Sequence, residues 1–458
     1  MAVRRRFTSV VRVPKALKPA LGEYQRRRRQ LMRIMGNDSI AILPAAPVRP
    51  RSRDVNHDYR QDSDFYYLTG FHEPEAVAVL VPGRPTGEFI LFCRETDPED
   101  ALWHGERAGP ERAVTDFRAD DAFPITDIDD ILPGLMENAT RVYYTMGRYA
   151  DFDTHVTDWI RLLRGRNIKG VDAPYEFVAL DHFLHDMRLF KSKSEVSRLR
   201  RAAKIAVSAH LRAMRAVQPG MTEFELEAEY LHEFRRFDSQ PSYPPIVGGG
   251  ANGCVLHYTT NNSALCDGDL VLVDAGCEAQ MYASDITRTY PVNGRFTPEQ
   301  RAVYDVVLAA QDAAISAARS GNHWNSPHEA AVKAITLGLR KLGLLSGNLR
   351  RLLKDEAYRE FFMHRTGHWL GIDVHDVGDY KVDDQWRLLE PGMVMTVEPG
   401  IYIAPDANVP LKWRGIGIRI EDDVLITRDT PELLTQGLPR TADEVEAWMA
   451  GDSFEVAA

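Results

Sequence analysis

Short apolar runs separated by turns mark the chain between residues 37 and 170. Four of these runs have the length and residue types of strands: residues 40–43, 76–81, 89–93 and 142–145. Stretches with helical spacing, such as residues 154–163, adjoin them. Apolar strands mixed with helices predict a compact α/β domain. This region has neither G-x-G-x-x-G nor a Walker motif, which disfavours nucleotide binding.

The pattern changes near residue 188, where apolar residues begin to repeat every three or four positions. That spacing predicts a long helix, which Pro219-Gly220 would end. Thr222-x-x-Glu225 has the form of a capping box, and Thr297-Pro298 and Ser326-Pro327 have that of helix starts with proline at the first helical position. Between the helices lie β-rich segments at 246–292 and 393–427. We therefore predict an α+β C-terminal domain.

The length of 458 residues exceeds that of one usual hydrophobic core, so two domains are expected. We predict four divisions of the chain. They are a basic, disordered N-terminal tail at residues 1–21, a smaller α/β domain at 22–187, the larger α+β domain at 188–448, and a C-terminal tail at 449–458.

The formal net charge of −10 argues against nucleic acid as a partner, because a phosphate backbone selects clustered positive charge. The local exception is the run Arg26 to Arg29. For this run we favour a solvated helix face over a nucleic-acid patch.

The four cysteines include no tight pair of the kind found in zinc knuckles, so free thiols in a reducing compartment are expected. No apolar run reaches the roughly 18 residues of a membrane span. The stretch before Glu23 is basic and resembles a weak organellar transit segment, but it lacks the apolar core of a secretory signal. A cytoplasmic protein is the favoured interpretation, and organellar targeting is the alternative.

Candidate chemistry lies in the second half of the chain, where acidic residues stand at the ends of apolar, strand-like runs. With one histidine they form a set of five potential metal ligands: Asp274, Asp285, His368, Glu398 and Glu421. Burying a carboxylate is costly unless a cation or a donor compensates it. Each acid alone would more often satisfy an exposed turn or a salt bridge, but five such residues together indicate a metal cluster.

Local geometry supports this interpretation. Residues 270–275 and 281–292 flank a short segment that could connect antiparallel strands, which would bring Asp274 and Asp285 together. Period-two alternation in residues 418–421 sends Arg419 and Glu421 to one face and the isoleucines to the other. An oxygen-rich site with one histidine suits Mn²⁺, Co²⁺, Fe²⁺ or Zn²⁺. Four carboxylates exceed the needs of one ion, so we predict two divalent ions in a hydrolytic centre.

Several segments closely resemble aminopeptidase P, the Xaa-Pro aminopeptidase branch of the pita-bread metallopeptidases. They are residues 252–258 (NGCVLHY), 269–276 (DLVLVDAG), 284–289 (SDITRT), 368–376 (HWLGIDVHD), 396–400 (TVEPG) and 415–421 (GIGIRIE), with 59–65 (YRQDSDF) and 69–76 (TGFHEPEA) in the N-terminal half. The resemblance spans about residues 22 to 448. It implies a C-terminal pita-bread domain preceded by a smaller α/β domain.

The resemblance also implies roles for the candidate residues. Asp274 would ligate one metal ion, Asp285 and Glu421 would bridge, and His368 and Glu398 would complete the other site. Mn²⁺ is the preferred metal. A metal-bridging hydroxide would attack the Xaa-Pro bond, with Glu398 as proton shuttle. Beside the metals, the family pattern places substrate-binding and catalytic residues at His257, His375 and Arg419, with His364 in the same cleft.

The implied substrates are peptides with proline in the second position. Proline has no amide hydrogen, so a pocket shaped for its ring would replace the donor that ordinary peptidases recognise. Tyr243 is a candidate wall of that pocket, although an aromatic residue beside prolines is more often plain packing. The resemblance further suggests a homo-oligomer, a dimer or a tetramer, in which Asp54 and Trp103 reach a neighbouring subunit's site.

Three alternatives stay open at this point. A prolidase, which cleaves only Xaa-Pro dipeptides, has the same fold. A non-catalytic binding protein on a pita-bread scaffold would be expected to lack ligands that this chain keeps. A creatine-type amidinohydrolase is disfavoured because its metal-free reaction does not need the full acidic set.

Overall fold

The computed structural model describes residues 13–17, 21–166 and 170–452. These residues divide into two compact units with the boundary between Arg188 and Leu189, and residues 13–17 group with the second unit. The predicted N-terminal tail, apart from residues 13–17 and 21, lies outside the described residues, as do residues 453–458 of the predicted C-terminal tail.

The first unit alternates short strands and helices. Its elements are α1 (Leu21–Met35), β1 (Ser39–Pro44), β2 (Pro50–Ser52), β3 (Val55–Asn56), α2 (Ser63–Thr69), β4 (Val77–Leu80), β5 (Phe89–Cys93), α3 (Pro98–His104), α4 (Gly109–Phe117), β6 (Asp121–Pro124), α5 (Ile128–Met136), β7 (Arg141–Tyr143), α6 (Ala150–Arg166), β8 (Glu176–Val178) and α7 (Leu180–Leu189). Six strands form one mixed sheet in the order β6-β5-β4-β1-β7-β8. The four predicted strands all lie in this sheet, and the predicted α/β character is confirmed.

The prediction of a solvated face for the arginine run in α1 is wrong for two of its four residues. Arg27 and Arg28 are only 1% and 2% exposed. Their guanidinium groups donate to the Tyr67 and Leu68 carbonyl oxygens at the end of α2, both at 2.9 Å. Each also lies over an aromatic ring, 3.9 Å from the ring centroid. The Glu23 carboxylate, 2.7 Å from Arg27, compensates one charge, and carbonyl acceptors and ring faces from outside the helix stabilise both arginines, which a linear pattern does not reveal.

The second unit combines long helices with short strands. Its elements are α8 (Lys193–Ala216), α9 (Glu223–Arg236), β9 (Gln240–Pro241), β10 (Ile246–Gly249), β11 (Leu270–Asp274), β12 (Cys277–Ala279), β13 (Tyr282–Ala283), β14 (Thr287–Pro291), α10 (Pro298–Ala317), α11 (Ser326–Lys341), α12 (Leu349–Lys354), β15 (Lys381–Val382), β16 (Gln385–Trp386), β17 (Val394–Val397), β18 (Gly400–Ile403), β19 (Ile416–Arg419), β20 (Asp422–Leu425), β21 (Glu432–Leu433) and α13 (Ala442–Ala450). The last helix extends past residue 449, where we predicted a tail to begin.

Side-chain caps fix where the helices of this unit begin. The predicted capping box at Thr222 is present, with Glu225 as its partner. The helix start predicted at Thr297 is confirmed with Pro298 as the first helical residue, and Thr297 also forms a capping box with Gln300. At the third predicted start the helix begins at Ser326 itself and its N-cap is Asn325, so Pro327 occupies the second helical position rather than the first. Proline is tolerated throughout the first turn because those amide groups lack helical acceptors.

Two hydrophobic cores hold the second unit together and fix its strands. In one, α8, α9 and α13 pack against β11 and β14 through residues such as Ile205, Tyr230, Val271 and Tyr290. In the other, α10 and α11 pack against β17 and β19 through residues such as Val307, Ile335, Met395 and Ile418. The predicted α+β character is confirmed. None of the helices within the described ranges is long and apolar enough to cross a membrane.

Candidate active site

The second unit contains a cleft of about 660 Å³. It is lined by ten of the residues singled out from the sequence: Tyr243, His257, Asp274, Asp285, His364, His368, His375, Glu398, Arg419 and Glu421. They come from loops and strands spread along the chain, and the first and the last of them are more than 170 residues apart. Only the tertiary fold brings these distant residues into one cleft.

A strand pair positions the two aspartates. Strands β11 and β14 run antiparallel with Asp274 opposite Thr287, so Asp285 lies two residues before the paired end. The connection returns the chain at Gly276, where a Cβ atom would lie 1.8 Å from the Ser284 carbonyl oxygen. Only glycine permits this close approach of backbone segments. The predicted antiparallel pairing of the two segments is confirmed.

A second strand pair positions the two glutamates. Strands β17 and β20 are antiparallel with Val397 opposite Asp422. Glu398 and Glu421 each lie one residue outside that terminal pair, at the same end of the sheet. The amide group of Glu421 donates to the Thr287 carbonyl oxygen at 3.0 Å, which joins this sheet end to that of β14.

His368 faces the carboxylates through one ring nitrogen. Its Nδ1 lies 2.9 Å from the Trp369 carbonyl oxygen and therefore carries the proton. Its Nε2 lies 3.3 Å from Asp285 Oδ2 and 3.7 Å from Glu398 Oε1. A backbone acceptor that fixes the tautomer and leaves Nε2 directed at acidic oxygens is the usual arrangement of a ligating histidine.

Arg419 ties the acidic group to neighbouring polar side chains. Its guanidinium donates to Asp274 Oδ2 at 2.7 Å, to the Tyr402 hydroxyl at 2.9 Å and to Thr287 Oγ1 at 3.0 Å. The Thr287 hydroxyl in turn donates to Glu421 Oε2 at 2.6 Å. Arg419 and Glu421 thus share Thr287, in agreement with the predicted alternation of this strand.

Tyr243 contributes its hydroxyl group rather than only its ring. The hydroxyl oxygen lies 2.5 Å from Asp274 Oδ1 and 2.5 Å from Asp285 Oδ1. The single hydroxyl proton can be donated to only one of these carboxylates. Plain packing beside prolines, the alternative for Tyr243, therefore does not describe it. Its predicted role as a wall of the substrate pocket stays a prediction, although it lines the cleft.

The acidic residues outnumber the compensating groups, and their pKa values show the imbalance. Burial raises the pKa of Glu398 to about 7, and burial with the neighbouring charge of Asp285 raises the pKa of Glu421 well above its ordinary value. Burial also raises the pKa of Asp274, although Arg419 opposes the rise. Although burial alone would lower it, contact with Asp285 and Glu398 raises the pKa of His368 to about 9. Four carboxylates cannot all ionise here without additional positive charge.

The donor set fits divalent metal ions. Ligand atoms of Asp285, His368 and Glu421 lie within 4.8 Å of one another, and Asp274 and Glu398 adjoin them. Oxygen donors with one imidazole suit hard or borderline divalent cations. Two such ions would supply the positive charge that the carboxylates lack.

The three further histidines occupy different positions in the cleft. His364 Nδ1 lies 2.6 Å from the Arg365 carbonyl oxygen, so its Nε2 accepts from the Tyr402 hydroxyl at 2.8 Å. Burial lowers the pKa of His364 to about 3, which keeps it neutral. His375 is exposed, with its ring centroid 4.3 Å from that of His368, and His257 is exposed on the loop that follows residues 250–254.

Asp54 and Trp103 belong to the first unit. Asp54 lies in the turn between β2 and β3, and Trp103 lies on α3 with 83% of its surface exposed. Neither belongs to the set that lines the cleft. Their predicted contact with a neighbouring subunit stays a prediction.

Several residues at the site have no signal in the linear sequence. Tyr402 connects Arg419 to His364, and Thr396 accepts from the His368 amide at 3.1 Å. Asp423 accepts from the Asp285 amide at 3.3 Å. Strand alternation alone could have placed Tyr402 on a defined face, but not against a histidine 38 positions earlier in the chain.

Comparisons with known proteins cover both units. Residues 197–428 match metallopeptidase family M24, and residues 24–143 match the aminopeptidase P N-terminal domain. The Xaa-Pro aminopeptidase of Escherichia coli is 47% identical to this chain, and the match covers 93% of this chain and 97% of the relative. Xaa-Pro aminopeptidase 3 of Rattus norvegicus is 34% identical, and that match covers 93% of this chain and 85% of the relative. The structure of aminopeptidase PepP from Pseudomonas aeruginosa is 58% identical, with a TM-score of 0.94 over 95% of this chain and 99% of that one.

Proposed function

The chain belongs to metallopeptidase family M24, in its aminopeptidase P branch, and we propose that it releases the N-terminal residue from peptides whose second residue is proline. The pita-bread fold of the second unit follows from the same relationship. The observation that carries the proposal is the convergence of four carboxylates and His368 in one cleft. That cleft lies in a chain related along almost its whole length to Xaa-Pro aminopeptidases.

We assign the metal ligands to the five residues predicted from the sequence. Asp274 would serve one ion, His368 and Glu398 the other, and Asp285 and Glu421 would be shared. The ions would supply Lewis acidity, which activates water and polarises the scissile carbonyl group. Mn²⁺ is the proposed metal, with Co²⁺, Zn²⁺ and Fe²⁺ as alternatives, because the donor set is rich in oxygen.

Glu398 is the proposed proton shuttle. Its carboxylate lies in the cleft, 3.8 Å from the His364 ring and 3.7 Å from the His368 ring, and a carboxylate placed beside the reacting water can act as general base and then as general acid. It would accept a proton from the attacking water and transfer it to the proline nitrogen as the bond breaks. The leaving nitrogen belongs to a secondary amine and must gain that proton to depart.

The remaining polar residues position these groups and the substrate. Arg419 holds Asp274 and, through Tyr402, the neutral His364. His257 and His375 are exposed to the cleft and are assigned to the substrate. The Tyr243 hydroxyl lies 2.5 Å from both aspartates and donates to one of them, which orients the pair for metal binding.

We also propose a homo-oligomer, a dimer or a tetramer, in the cytoplasm. The exposed indole of Trp103 supports an interface role for that residue, with Asp54 as a companion. The four free cysteines are consistent with a reducing compartment.

A peptide-length series tests the proposed function against the prolidase alternative. Ala-Pro, Ala-Pro-Ala and Ala-Pro-Ala-Ala are incubated with the enzyme, with Ala-Gly-Ala as the matched control, and metal content is measured on the same sample. We expect cleavage of the tripeptide and tetrapeptide and little cleavage of the glycine control. Activity restricted to Ala-Pro would instead identify a prolidase, and no cleavage of any proline peptide would refute both.

A further inference from the structure

Arg365 lies at the rim of the cleft, directly after His364, with its side chain open to solvent. The cleft contains one other arginine, Arg419, whose charge is paired with Asp274 at 2.7 Å. Arg365 differs from it. Across the described part of the chain, no carboxylate oxygen lies within 4.0 Å of the Arg365 guanidinium nitrogens.

Neutral and aromatic neighbours nevertheless hold this guanidinium in place. It donates to the side-chain oxygen of Asn325, and it lies 5.2 Å from the centroid of the Trp386 ring, which also lines the cleft. An arginine has five N–H donors, and one hydrogen bond with one ring contact leaves most of them available. The Glu329 carboxylate accepts from the Asn325 amide at 2.7 Å and lies beyond 4.0 Å of Arg365, so the planar group is oriented but makes no ion pair.

A second cation strengthens the positive character of this wall. Lys381 is paired with Trp386 in the β15–β16 hairpin, and its ammonium group lies 4.7 Å from the Trp386 ring centroid. The hairpin's turn carries Asp383 and Asp384, which are exposed to solvent, where their field is screened. The unpaired charge that faces the cleft is that of Arg365.

We propose that Arg365, on the wall formed with Trp386, selects substrates that carry a carboxylate in the third residue. This inference rests on the proposed aminopeptidase function. An oriented guanidinium with free N–H groups matches a carboxylate in geometry and charge. The substrate's amino terminus is an ammonium group, which a cation repels, so Arg365 faces the part of the peptide that follows proline. The carboxylate can come from an acidic side chain or from the C-terminus of a tripeptide.

Four substrates test the proposal and separate the two carboxylate sources: Ala-Pro-Glu-amide, Ala-Pro-Lys-amide, Ala-Pro-Ala-amide and Ala-Pro-Ala with a free C-terminus. At low ionic strength we expect kcat/KM for the two carboxylate substrates to exceed that of the neutral amide and of the lysine peptide by about three- to tenfold. Added salt should reduce this ratio because the contact is solvent-accessible. A preference for only one of the carboxylate peptides would identify its source and support the proposal.

Substitutions of Arg365 test whether this residue causes the preference for a carboxylate in the third residue. In Arg365→Gln the ratio of kcat/KM values between the glutamate and lysine peptides should fall to about one, and Arg365→Lys should retain part of it. Arg350→Gln removes an exposed arginine outside the cleft and should keep the wild-type ratio. Because each ratio is taken within one protein preparation, partial misfolding does not alter it.

The outcomes distinguish this inference from the function on which it rests. Failure of the wild-type enzyme to cleave any of the four peptides would refute the proposed function and this inference together. Cleavage of all four at equal rates would overturn only the selectivity. An unchanged ratio in Arg365→Gln would show that another group reads the carboxylate.

Discussion

The two units each bury a cluster of carboxylates, and they compensate the charge in opposite ways. In the first unit, Asp64 meets Arg188 at 2.8 Å and Arg148 at 3.0 Å, while Asp62 meets Arg148 at 2.7 Å. Although burial opposes it, Arg188 holds the pKa of Asp64 well below its ordinary value, whereas burial raises the pKa of Asp62 despite its contact with Arg148. In the second unit, four carboxylates share Arg419 and His368. Burial raises the pKa values of Asp274, Glu398 and Glu421, while that of Asp285 is lowered by His368 although burial opposes it.

The difference separates a structural cluster from a binding site. Two acids with two arginines form a closed set, in which each charge has a partner inside the protein. The cleft differs because its four carboxylates outnumber the two positively charged side chains beside them, Arg419 and His368. A buried acidic excess carries a free-energy cost in the isolated chain, which bound cations would remove.

The largest expected effect comes from the carboxylates of the cleft. Glu398→Gln keeps the size of the side chain but removes its charge and its proton transfer. We expect kcat to fall by about 10³- to 10⁵-fold, equivalent to about 4–7 kcal/mol, with the fold retained. Steady-state kinetics and circular dichroism check this. The matched control is Glu390→Gln, an exposed glutamate on the nearby turn. Wild-type turnover in Glu398→Gln would refute the assignment.

A substitution in the cluster of Asp62 and Asp64 should change the stability of the protein rather than its turnover. Asp64→Asn removes the carboxylate that lies 2.8 Å from the buried guanidinium of Arg188, and breaking a buried ion pair typically costs about 3 kcal/mol or more. We expect a lower temperature of thermal unfolding and no change in the metal dependence of turnover. Asp130→Asn, an exposed aspartate in α5, serves as the control. If Asp64→Asn altered the metal requirement while leaving stability unchanged, the distinction between the clusters would fail.

The pH dependence of unfolding sharpens the same contrast. Because the folded-state pKa of Asp64 lies below its unfolded value of 3.8, the stabilisation is fully present above about pH 5 and is lost as pH falls through 3.8 towards the folded-state pKa. Between pH 5 and pH 2 the wild-type protein should lose about 2 kcal/mol more of its free energy of unfolding than Asp64→Asn does. Thermal unfolding at a series of pH values measures this, and parallel pH profiles would contradict it.

The smallest expected effect concerns Tyr243. Tyr243→Phe removes the hydroxyl that lies 2.5 Å from both aspartates but keeps the ring. We expect weaker metal binding and a decrease in kcat/KM of about tenfold, or about 1.4 kcal/mol. Tyr175→Phe, at an exposed position in the first unit, is the control. If the metal affinity of Tyr243→Phe equalled that of the wild-type protein, the hydroxyl group would have no role in metal binding and Tyr243 would contribute only packing.

The sequence predicts the strand-end acids because apolar runs that stop at a carboxylate are visible in one dimension. It also predicts the pairing of β11 with β14 and the helix starts at Thr222 and Thr297, which depend on local residues. The burial of Arg27 and Arg28 was missed because their acceptors lie 40 residues away.

The pattern of residues along the sequence likewise does not predict the contacts across the cleft. The hydroxyl group of Tyr243, the link from Arg419 through Tyr402 to His364, and the wall formed by Arg365 and Trp386 exist only once distant loops meet. Periodicity specifies which face of a strand a residue occupies. It does not specify what lies opposite that face.

Metal titration tests the central claim most directly, namely that the acidic excess of the cleft is compensated by bound ions. The protein is stripped with a chelator, Mn²⁺ is added back in steps, and bound metal and turnover of Ala-Pro-Ala are measured on each sample. We expect no turnover without metal, and recovery that saturates at two ions per chain. Full turnover in a preparation that contains no bound metal would contradict the account.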